Sequence, residues 1–176
     1  MLQKCTIYKI ASVFFNKPTK VHYLLEISRE SKIAHTSVKQ HLSTLKDLSI
    51  IRESIEEKGK RKYPTYKADL ESKKYKSNKK IYNLAEIKPI TNFLKDKLMP
   101  KAIILFGSYA RGEDIENSDI DIFVECQKED IDLSKFEKQL NRKIQLHFKK
   151  EFKSYPKELK NNIINGIVLD GYLEAF

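Results

Sequence analysis

Residues 103–124 read IILFGSYARGEDIENSDIDIFV, and this stretch decides the predicted fold of the second half of the chain. The apolar run Ala102–Phe106 has the length and the β-branching of a buried strand. Gly107-Ser108 follows at once, and a glycine at this point lets backbone N–H groups come close to a phosphate. Residues 109–111 then predict the first turn of a helix, whose N-terminus favours bound anions.

A second predicted strand follows the polar loop and carries two carboxylates. Side chains alternate along a strand, so Asp119 and Asp121 share one face, and Ile120, Ile122 and Val124 share the other. Two carboxylates beside a phosphate-binding turn suit Mg²⁺ ions that bridge to the phosphates of a nucleotide. The alternative is a surface turn followed by an acidic edge strand, which is disfavoured because Asp is depleted in strands.

These residues resemble a known signature. Gly107-Ser108, ten further residues and then Asp119-x-Asp121 are similar to the motif of the DNA polymerase β-type nucleotidyltransferase superfamily. GSYARG and SDIDIFV resemble its minimal nucleotidyltransferase branch, which often occurs with toxin–antitoxin pairs or DNA-binding modules. The resemblance covers residues 99–176 and implies Mg²⁺ or Mn²⁺ with ATP or another nucleoside triphosphate as cofactors.

The resemblance also implies roles for individual residues. Asp119 and Asp121 would be catalytic and would bind the metal, while Gly107 and Ser108 would bind the nucleotide. Arg111 would either add positive charge near the phosphates or form a surface ion pair.

One position departs from the family pattern. The family supplies a third carboxylate from the neighbouring strand, where it helps to hold the second metal and to activate the nucleophile. The matching catalytic position in RKIQLHF (residues 142–148) is Gln145, and an amide is a neutral ligand and a negligible base. We therefore expect the metal on the triphosphate side to bind and the catalytic metal to bind poorly. His147, on the same face, is either a substitute base or a hydrogen-bonding group at the sheet surface.

The charge of the chain is divided unevenly. Residues 1–80 hold 19 Lys and Arg against 8 Asp and Glu, which gives a net charge of +11. Residues 81–176 hold 15 against 16, which gives −1. This asymmetry indicates two modules, of which the first has a nucleic-acid partner.

The first module predicts three helical segments followed by a basic hairpin. The helical segments are residues 3–15, 21–31 and 35–48, and the hairpin has strands at 50–55 and 63–68 around a charged tip at 56–62. That order is typical of a winged helix, and EISRESKIAHTSVKQHLSTLKDLSII resembles the helix-turn-helix of ArsR/MarR-type regulators. The resemblance implies a reading helix at 35–47 and a wing at 56–63 that bind double-stranded DNA. The alternative is a protein-docking or dimerisation module. The candidate DNA-binding residues are Thr36, Ser37, Lys39, Gln40, Ser43, Lys58, Lys60, Arg61 and Lys62.

The predicted fold class is α+β, with an N-terminal winged helix before a small mixed-sheet nucleotidyltransferase domain. The predicted domains are residues 1–69, a helical connector at 70–98 and the catalytic domain at 99–176. Residues 69–80 are either a solvated helix or a hinge, and Pro89 is expected to start a second helix. After the motif we expect a helix, a third strand at 142–148, another helix and a closing edge strand.

The expected function is that of a DNA-binding regulator or antitoxin-like protein whose second domain binds Mg-NTP with weakened or lost catalysis. The alternative is an active nucleotidyltransferase that transfers a nucleoside monophosphate to a protein, nucleic acid or small molecule. A third reading is a structural adaptor. A toxin or another protein is a further candidate partner, and a homodimer is expected. The absence of a membrane-length apolar run, and of any CxxC pair from Cys5 and Cys126, predicts a reduced cytoplasmic setting without membrane contact.

Overall fold

The computed structural model describes residues 5–149 and 156–174. The first two residues of the predicted helix at 3–15, and the last two of the closing predicted segment, lie outside this part of the chain. The chain divides into two compact units, and the division falls between Tyr82 and Asn83. In the described ranges, no helix combines the length and the apolar character needed to cross a membrane.

The first unit contains the predicted three helices and hairpin. In chain order its elements are α1 (Thr6–Asn16), β1 (His22–Tyr23), α2 (Leu24–Ser31), α3 (His35–Asp47), β2 (Ile51–Lys58) and β3 (Arg61–Ala68). The core forms because α1 buries Ile10 and Phe14, while α3 buries Val38, Leu42 and Leu45 on one face. The three strands form a sheet in the order β1-β3-β2.

Two details of the first unit differ from the sequence prediction. The segment 21–31 is not helical throughout, because His22 and Tyr23 pair with β3 and the helix begins at Leu24. Leu25, in the first turn of this helix, is 58% exposed despite its apolar side chain. The hairpin is also longer than predicted, because pairing continues to Lys58↔Arg61 and leaves only a two-residue turn.

The prediction that Pro89 starts a second helix is wrong. A single helix, α4 (Lys73–Leu98), runs through this proline. Proline inside a helix costs about 3 kcal/mol. Pro89 is itself exposed, and four apolar side chains of the same helix are buried, each worth about 1.5–3 kcal/mol. These side chains are Ile87, Ile90, Leu94 and Leu98. Burial of the stripe therefore outweighs the local preference for a break.

The start of α4 settles whether residues 69–80 form a helix or a hinge. The segment is helical from Lys73 and buries Tyr75 and Lys79, which are 1% and 0% exposed. The Tyr75 hydroxyl donates a hydrogen bond to the carbonyl of Phe14 at 3.2 Å. This lysine-rich stretch is therefore packed helix within the first unit.

The second unit is a mixed four-stranded sheet with helices, which confirms the α+β class. Its elements after α4 are β4 (Ala102–Phe106), α5 (Gly107–Arg111), β5 (Ile120–Val124), α6 (Ser134–Leu140), β6 (Ile144–Phe148), α7 (Lys157–Ile164) and β7 (Ile167–Gly171). The strand order is β6-β5-β4-β7; β4 pairs antiparallel with β5 and β7, and β5 pairs parallel with β6. The closing strand β7 lies at an edge, as predicted.

The two central strands of this sheet are buried on both faces. Ile103 and Leu105 of β4 pack with the apolar stripe of α4, and Ile104 and Phe106 pack with Ile163 of α7. At the β6 edge, the Ile144 N–H donates to Glu137 Oε1 at 2.9 Å. Gly107, which follows β4, and Asp119, which precedes β5, lie at one end of this buried part of the sheet.

Protonation of His22 is expected to destabilise the first unit. Its ring is 0% exposed, and its Nδ1 has no hydrogen-bond partner among the described residues. Burial lowers the pKa of His22 below 6.5, although a hydrogen bond to the Lys17 carbonyl and the charges of Glu30 and Glu26 oppose this shift. The unfolded chain then binds more protons than the folded unit, so the free energy of unfolding falls as pH drops below about 6.5.

The measurement is the urea midpoint of the full chain between pH 7.5 and pH 5, followed through α1 amide resonances. The β5 resonances serve as an internal reference for the second unit. His22→Leu should flatten the pH dependence of the α1 midpoint. An equally steep dependence in this variant would assign the effect to other groups.

Candidate active site

Gly107 lies in contact with the carboxylate of Asp121. Phe106, the last residue of β4, pairs with Asp121 on β5, so the next residue along the chain passes over that side chain. Gly107 has a φ of +74°, and a Cβ at this position would lie 2.5 Å from Asp121 Oδ2. The positive φ favours glycine here, and an added Cβ would displace the carboxylate of Asp121. The turn predicted to bind phosphate and one predicted metal ligand meet here.

The four predicted polar residues of β5 and β6 come together at this end of the sheet. In the parallel pairing, Asp121 lies opposite Gln145. Gln145 Nε2 donates a hydrogen bond to Asp119 Oδ2 at 2.5 Å, and His147 Nε2 lies 3.3 Å from Asp121 Oδ1. The position expected to hold a third carboxylate is thus directly beside the other two, and it presents an amide.

This donor set fits one divalent ion better than two. Asp119 and Asp121 are each partly exposed, and Mg²⁺ commonly binds one or two carboxylates together with substrate phosphates and water. Within residues 5–149 and 156–174 there is no group of three or more His, Cys, Asp or Glu side chains arranged to hold a metal. Gln145 also occupies one oxygen of Asp119 with a neutral donor. A second ion at Asp119 would compete with this hydrogen bond and would find no carboxylate at position 145.

Arg111 forms an ion pair at the surface, and its role near the phosphates stays a prediction. Its Nε donates to Glu113 Oε2 at 2.8 Å, and the two side chains are 57% and 38% exposed. Ser108 is the second residue of α5 and is partly exposed beside Gly107.

Three polar residues near the site were not found by sequence analysis: Asn83, Asp114 and Arg142. Asp114, in the loop after α5, is 1% exposed and pairs with Arg142, whose Nη2 lies 2.9 Å from its Oδ2. Asn83 Nδ2 donates to Asp114 Oδ1 at 2.8 Å. The loop is polar in sequence, and no periodicity marks Asp114 as buried.

A groove of about 630 Å³ reaches Asp119 from the side of α6. Its walls are the loop 116–119 and the turn 141–143, together with Ser134, Glu137 and Lys138 of α6. Asp119 is therefore accessible from solvent along this groove.

The candidate DNA-binding residues of the first unit lie on its surface. Thr36, Lys39, Gln40 and Ser43 are exposed on α3, and Ser37 is half-buried. The four candidate cations at the hairpin tip are also exposed, but two of them are ion-paired. Lys58 lies 3.4 Å from Glu56, and Lys62 lies 3.0 Å from Glu57.

The other two candidate cations at the hairpin tip, Lys60 and Arg61, differ from Lys58 and Lys62 in their ion pairing. For Lys60 and Arg61, no ion-pair partner occurs in the described part of the chain. Among the candidate DNA-binding cations of the hairpin tip, Lys60 and Arg61 therefore carry the charge that no ion pair within the described residues offsets.

Residues 84–170 match the sequence profile of the family described as "Nucleotidyltransferase domain". This match lies within the second unit, which is therefore similar to a nucleotidyltransferase domain. This agrees with the resemblance seen in the sequence, and such a domain implies a divalent metal and a nucleoside triphosphate in general.

Three similar proteins come from Methanocaldococcus jannaschii. The chain is 61% identical over 46 residues to "Putative protein adenylyltransferase MJ1379", covering 24% of this chain and 46% of that protein. It is 52% identical over 46 residues to "Putative protein adenylyltransferase MJ0128", with coverages of 24% and 47%. It is 50% identical over 50 residues to "Putative protein adenylyltransferase MJ1215", with coverages of 26% and 58%. The chain thus spans about half the length of these relatives.

Gly107→Ala should weaken metal binding far more than it weakens the fold. The new Cβ meets only the end of the Asp121 side chain, which can rotate away, so the main cost in stability is the positive φ, about 1–2 kcal/mol. The displaced carboxylate no longer occupies its position in the site, and the affinity for Mn²⁺ should fall by roughly tenfold or more.

Gly59→Ala is the matched control, because Gly59 has a φ of +62° and no heavy atom within 4 Å of an added Cβ. Unfolding in urea should show similar stability losses for the two variants. Mn²⁺ titration, followed by electron paramagnetic resonance, should show reduced affinity only for Gly107→Ala. Equal Mn²⁺ affinities would exclude Asp121 as a metal ligand.

Proposed function

We propose that the second unit binds a divalent metal ion and a nucleoside triphosphate at Gly107, Ser108, Asp119 and Asp121. Nucleotidyl transfer by this site is weak, because position 145 carries an amide. The hydrogen bond from Gln145 to Asp119 is the observation on which the proposal depends. It places a neutral donor where transfer chemistry needs a third anion.

Each residue has a defined task in this proposal. The backbone N–H groups at the turn and the Ser108 hydroxyl bind phosphate oxygens, and Asp119 and Asp121 hold the metal. A bound divalent ion neutralises charge on the triphosphate and polarises the phosphorus under attack. Transfer joins an acceptor oxygen to the α-phosphorus, releases pyrophosphate and removes a proton from the acceptor. Gln145 cannot accept that proton.

An active enzyme is the second candidate for this unit. The similar proteins are named protein adenylyltransferases, and the groove beside Asp119 offers an approach for an acceptor. In this reading AMP is transferred to a side chain of a protein, and a partner such as a toxin is a candidate acceptor. A faster reaction would then require that one metal, or His147, supports the deprotonation that Gln145 cannot.

Gln145→Asp should raise nucleotidyl transfer by roughly 10²-fold, because it restores a carboxylate beside Asp119. Gln145→Asn is the matched control, since it has the size of the aspartate but no charge. The assay follows transfer of label from α-labelled ATP, GTP, CTP or UTP with Mg²⁺ or Mn²⁺. The acceptors tested are the protein itself, its candidate partners and nucleic acid.

The double variant Asp119→Ala with Asp121→Ala should lose metal-dependent nucleotide binding while its β5 amides keep their urea midpoint. Wild-type transfer that is already fast, and unchanged or slower in Gln145→Asp, would favour the active enzyme. Retained metal-dependent nucleotide binding in the double variant would contradict both candidates.

We further propose that the first unit is a winged helix that binds double-stranded DNA. Three helices followed by a hairpin, a net charge of +11 up to residue 80, and an exposed polar face on α3 support this. In this proposal α3 enters the major groove, and the hairpin turn contacts phosphates through Lys60 and Arg61. The chain would bind a two-fold site as a homodimer and act as a regulator or as an antitoxin-like protein.

Lys60→Ala with Arg61→Ala should weaken DNA binding at all sequences and reduce the slope of log affinity against log salt by about 2. Lys58→Ala with Lys62→Ala removes the same charge from residues that already pair with Glu56 and Glu57. Its effect on the slope should be clearly smaller.

Anisotropy titrations of labelled duplexes at several salt concentrations measure both double variants. Light scattering of the complex tests whether two chains occupy one site. Equal slopes for the two double variants would remove the hairpin turn from the proposed interface. A single chain bound per duplex would contradict the homodimer.

A further inference from the structure

A buried ion pair lies under the loop that leads to Asp119. The side chains of Asp114 and Arg142 are 0% and 7% exposed, and Arg142 Nη2 lies 2.9 Å from Asp114 Oδ2. The other oxygen of Asp114 accepts a hydrogen bond from Asn83 Nδ2 at 2.8 Å. Asn83 also donates to the carbonyl of Tyr109, in α5, at 2.9 Å. We call Asn83, Asp114 and Arg142 the buried network.

The guanidinium of Arg142 also holds the backbone of the loop. Its Nη1 donates to the carbonyls of Ile115 and Ser118, the latter at 3.2 Å. Its Cζ lies 5.9 Å from the ring centre of Tyr109. One side chain therefore binds the start of the loop, its middle and the residue directly before Asp119. The five N–H donors of arginine, fixed in one plane, make this possible.

The network joins two segments that meet at the site. Arg142 precedes β6, the strand that carries Gln145, and its contacts are with the loop that carries Asp119. On the Asp119 side, the loop is also fixed by a hydrogen bond from the Ile120 N–H to the Lys143 carbonyl at 2.9 Å. The 2.5 Å hydrogen bond between Gln145 and Asp119 is close to this connection in sequence, because Asp119 precedes Ile120 and Gln145 lies two residues after Lys143.

We propose that the buried network positions Asp119 against Gln145 and so sets the geometry of the metal site. Asn83, Asp114 and Arg142 are positioning residues, since their side chains bind one another and the backbone of α5 and of the loop. The consequence for metal binding rests on the proposed function, whereas the effect on the Gln145–Asp119 contact does not.

A role confined to stability is the competing explanation. The second unit already has a continuous apolar core on both faces of its sheet. A buried ion pair replaced by apolar side chains is often neutral or stabilising, because both ions lose their hydration on burial. Arg142 has several donors fixed in one plane, so it favours a single conformation of the loop that it binds. A positioning role therefore predicts a local effect at Asp119 and Gln145 that a general loss of stability would not produce.

The test follows the side-chain amide of Gln145 by ¹⁵N NMR on the full chain, without nucleotide or metal. Arg142→Gln and Asp114→Asn should each move the Gln145 Nε2 signals towards the shifts of a solvent-exposed amide. The double variant should move them no further, because the residues act as one unit. Arg142→Lys keeps the charge next to Asp114 but has fewer donors, so it should produce the same movement in part while leaving the fold intact.

Lys95→Gln is the control variant. It removes a 2.6 Å ion pair with Asp170 in the same unit, on the strand at the opposite edge of the sheet. Its Gln145 signals should match those of the wild type. Gln145 signals that stay unchanged in Arg142→Gln, Asp114→Asn and Arg142→Lys, with the β5 amides dispersed, would overturn the proposal.

A second readout connects the network to the metal. Affinity for Mn²⁺ in the presence of ATP should fall roughly 10- to 100-fold in Arg142→Lys and Asp114→Asn, and should stay level in Lys95→Gln. A wild-type chain that binds no Mn²⁺-ATP would contradict the proposed function alone, since the Gln145 signals still decide the positioning role. The Gln145 signals could also move in variants that bind Mn²⁺-ATP with normal affinity. That result would show that the network positions only the Gln145–Asp119 hydrogen bond, and it would refute the proposed effect on the metal site.

Discussion

The parallel pairing of β5 with β6 is the constraint on which the candidate site depends. It places Gln145 opposite Asp121 and His147 opposite Phe123, so that all polar side chains of one face collect at one end of the sheet. A shift of this register by one residue would turn Gln145 to the opposite face, because side chains alternate along a strand. Pairing of β4 with β5 then brings Gly107 over Asp121. The chemistry of the site therefore follows from hydrogen bonding between three neighbouring strands.

Much of this arrangement could be predicted because it depends on short-range rules. The alternation of Asp119, Ile120 and Asp121 predicted one polar and one apolar face, and Ile120 is fully buried. The third position at Gln145 followed from the family pattern, and the structure brings it into contact with Asp119. The edge placement of β7 agrees with the prediction from its short apolar run.

The predictions that were wrong or missing involve long-range contacts. Pro89 has a strong local preference to end a helix, but burial of residues on both sides of it decides the outcome. Asp114 and Arg142 are separated in sequence and carry the charges of ordinary surface residues, so only the folded chain reveals that they are buried together. Four cations of the hairpin tip were predicted to bind DNA, yet glutamates lie beside two of them. Glu57 is beside Lys62 across β2 and β3, and Glu56 is beside Lys58 on the same strand. Each of these features depends on which residues become neighbours after folding.

Glu137, at the β6 edge of the sheet in the second unit, affects whether molecules of this protein associate at high concentration. Strand β6 is an edge strand, and its apolar side chains are only partly covered. An edge of this kind can pair with a strand of another molecule, which is a common route to aggregation. Glu137 already accepts the hydrogen bond of the first N–H on this edge. A strand arriving from another molecule would have to displace a carboxylate and leave its charge beside an apolar surface. One side chain thereby makes the start of β6 a poor template for uncontrolled association.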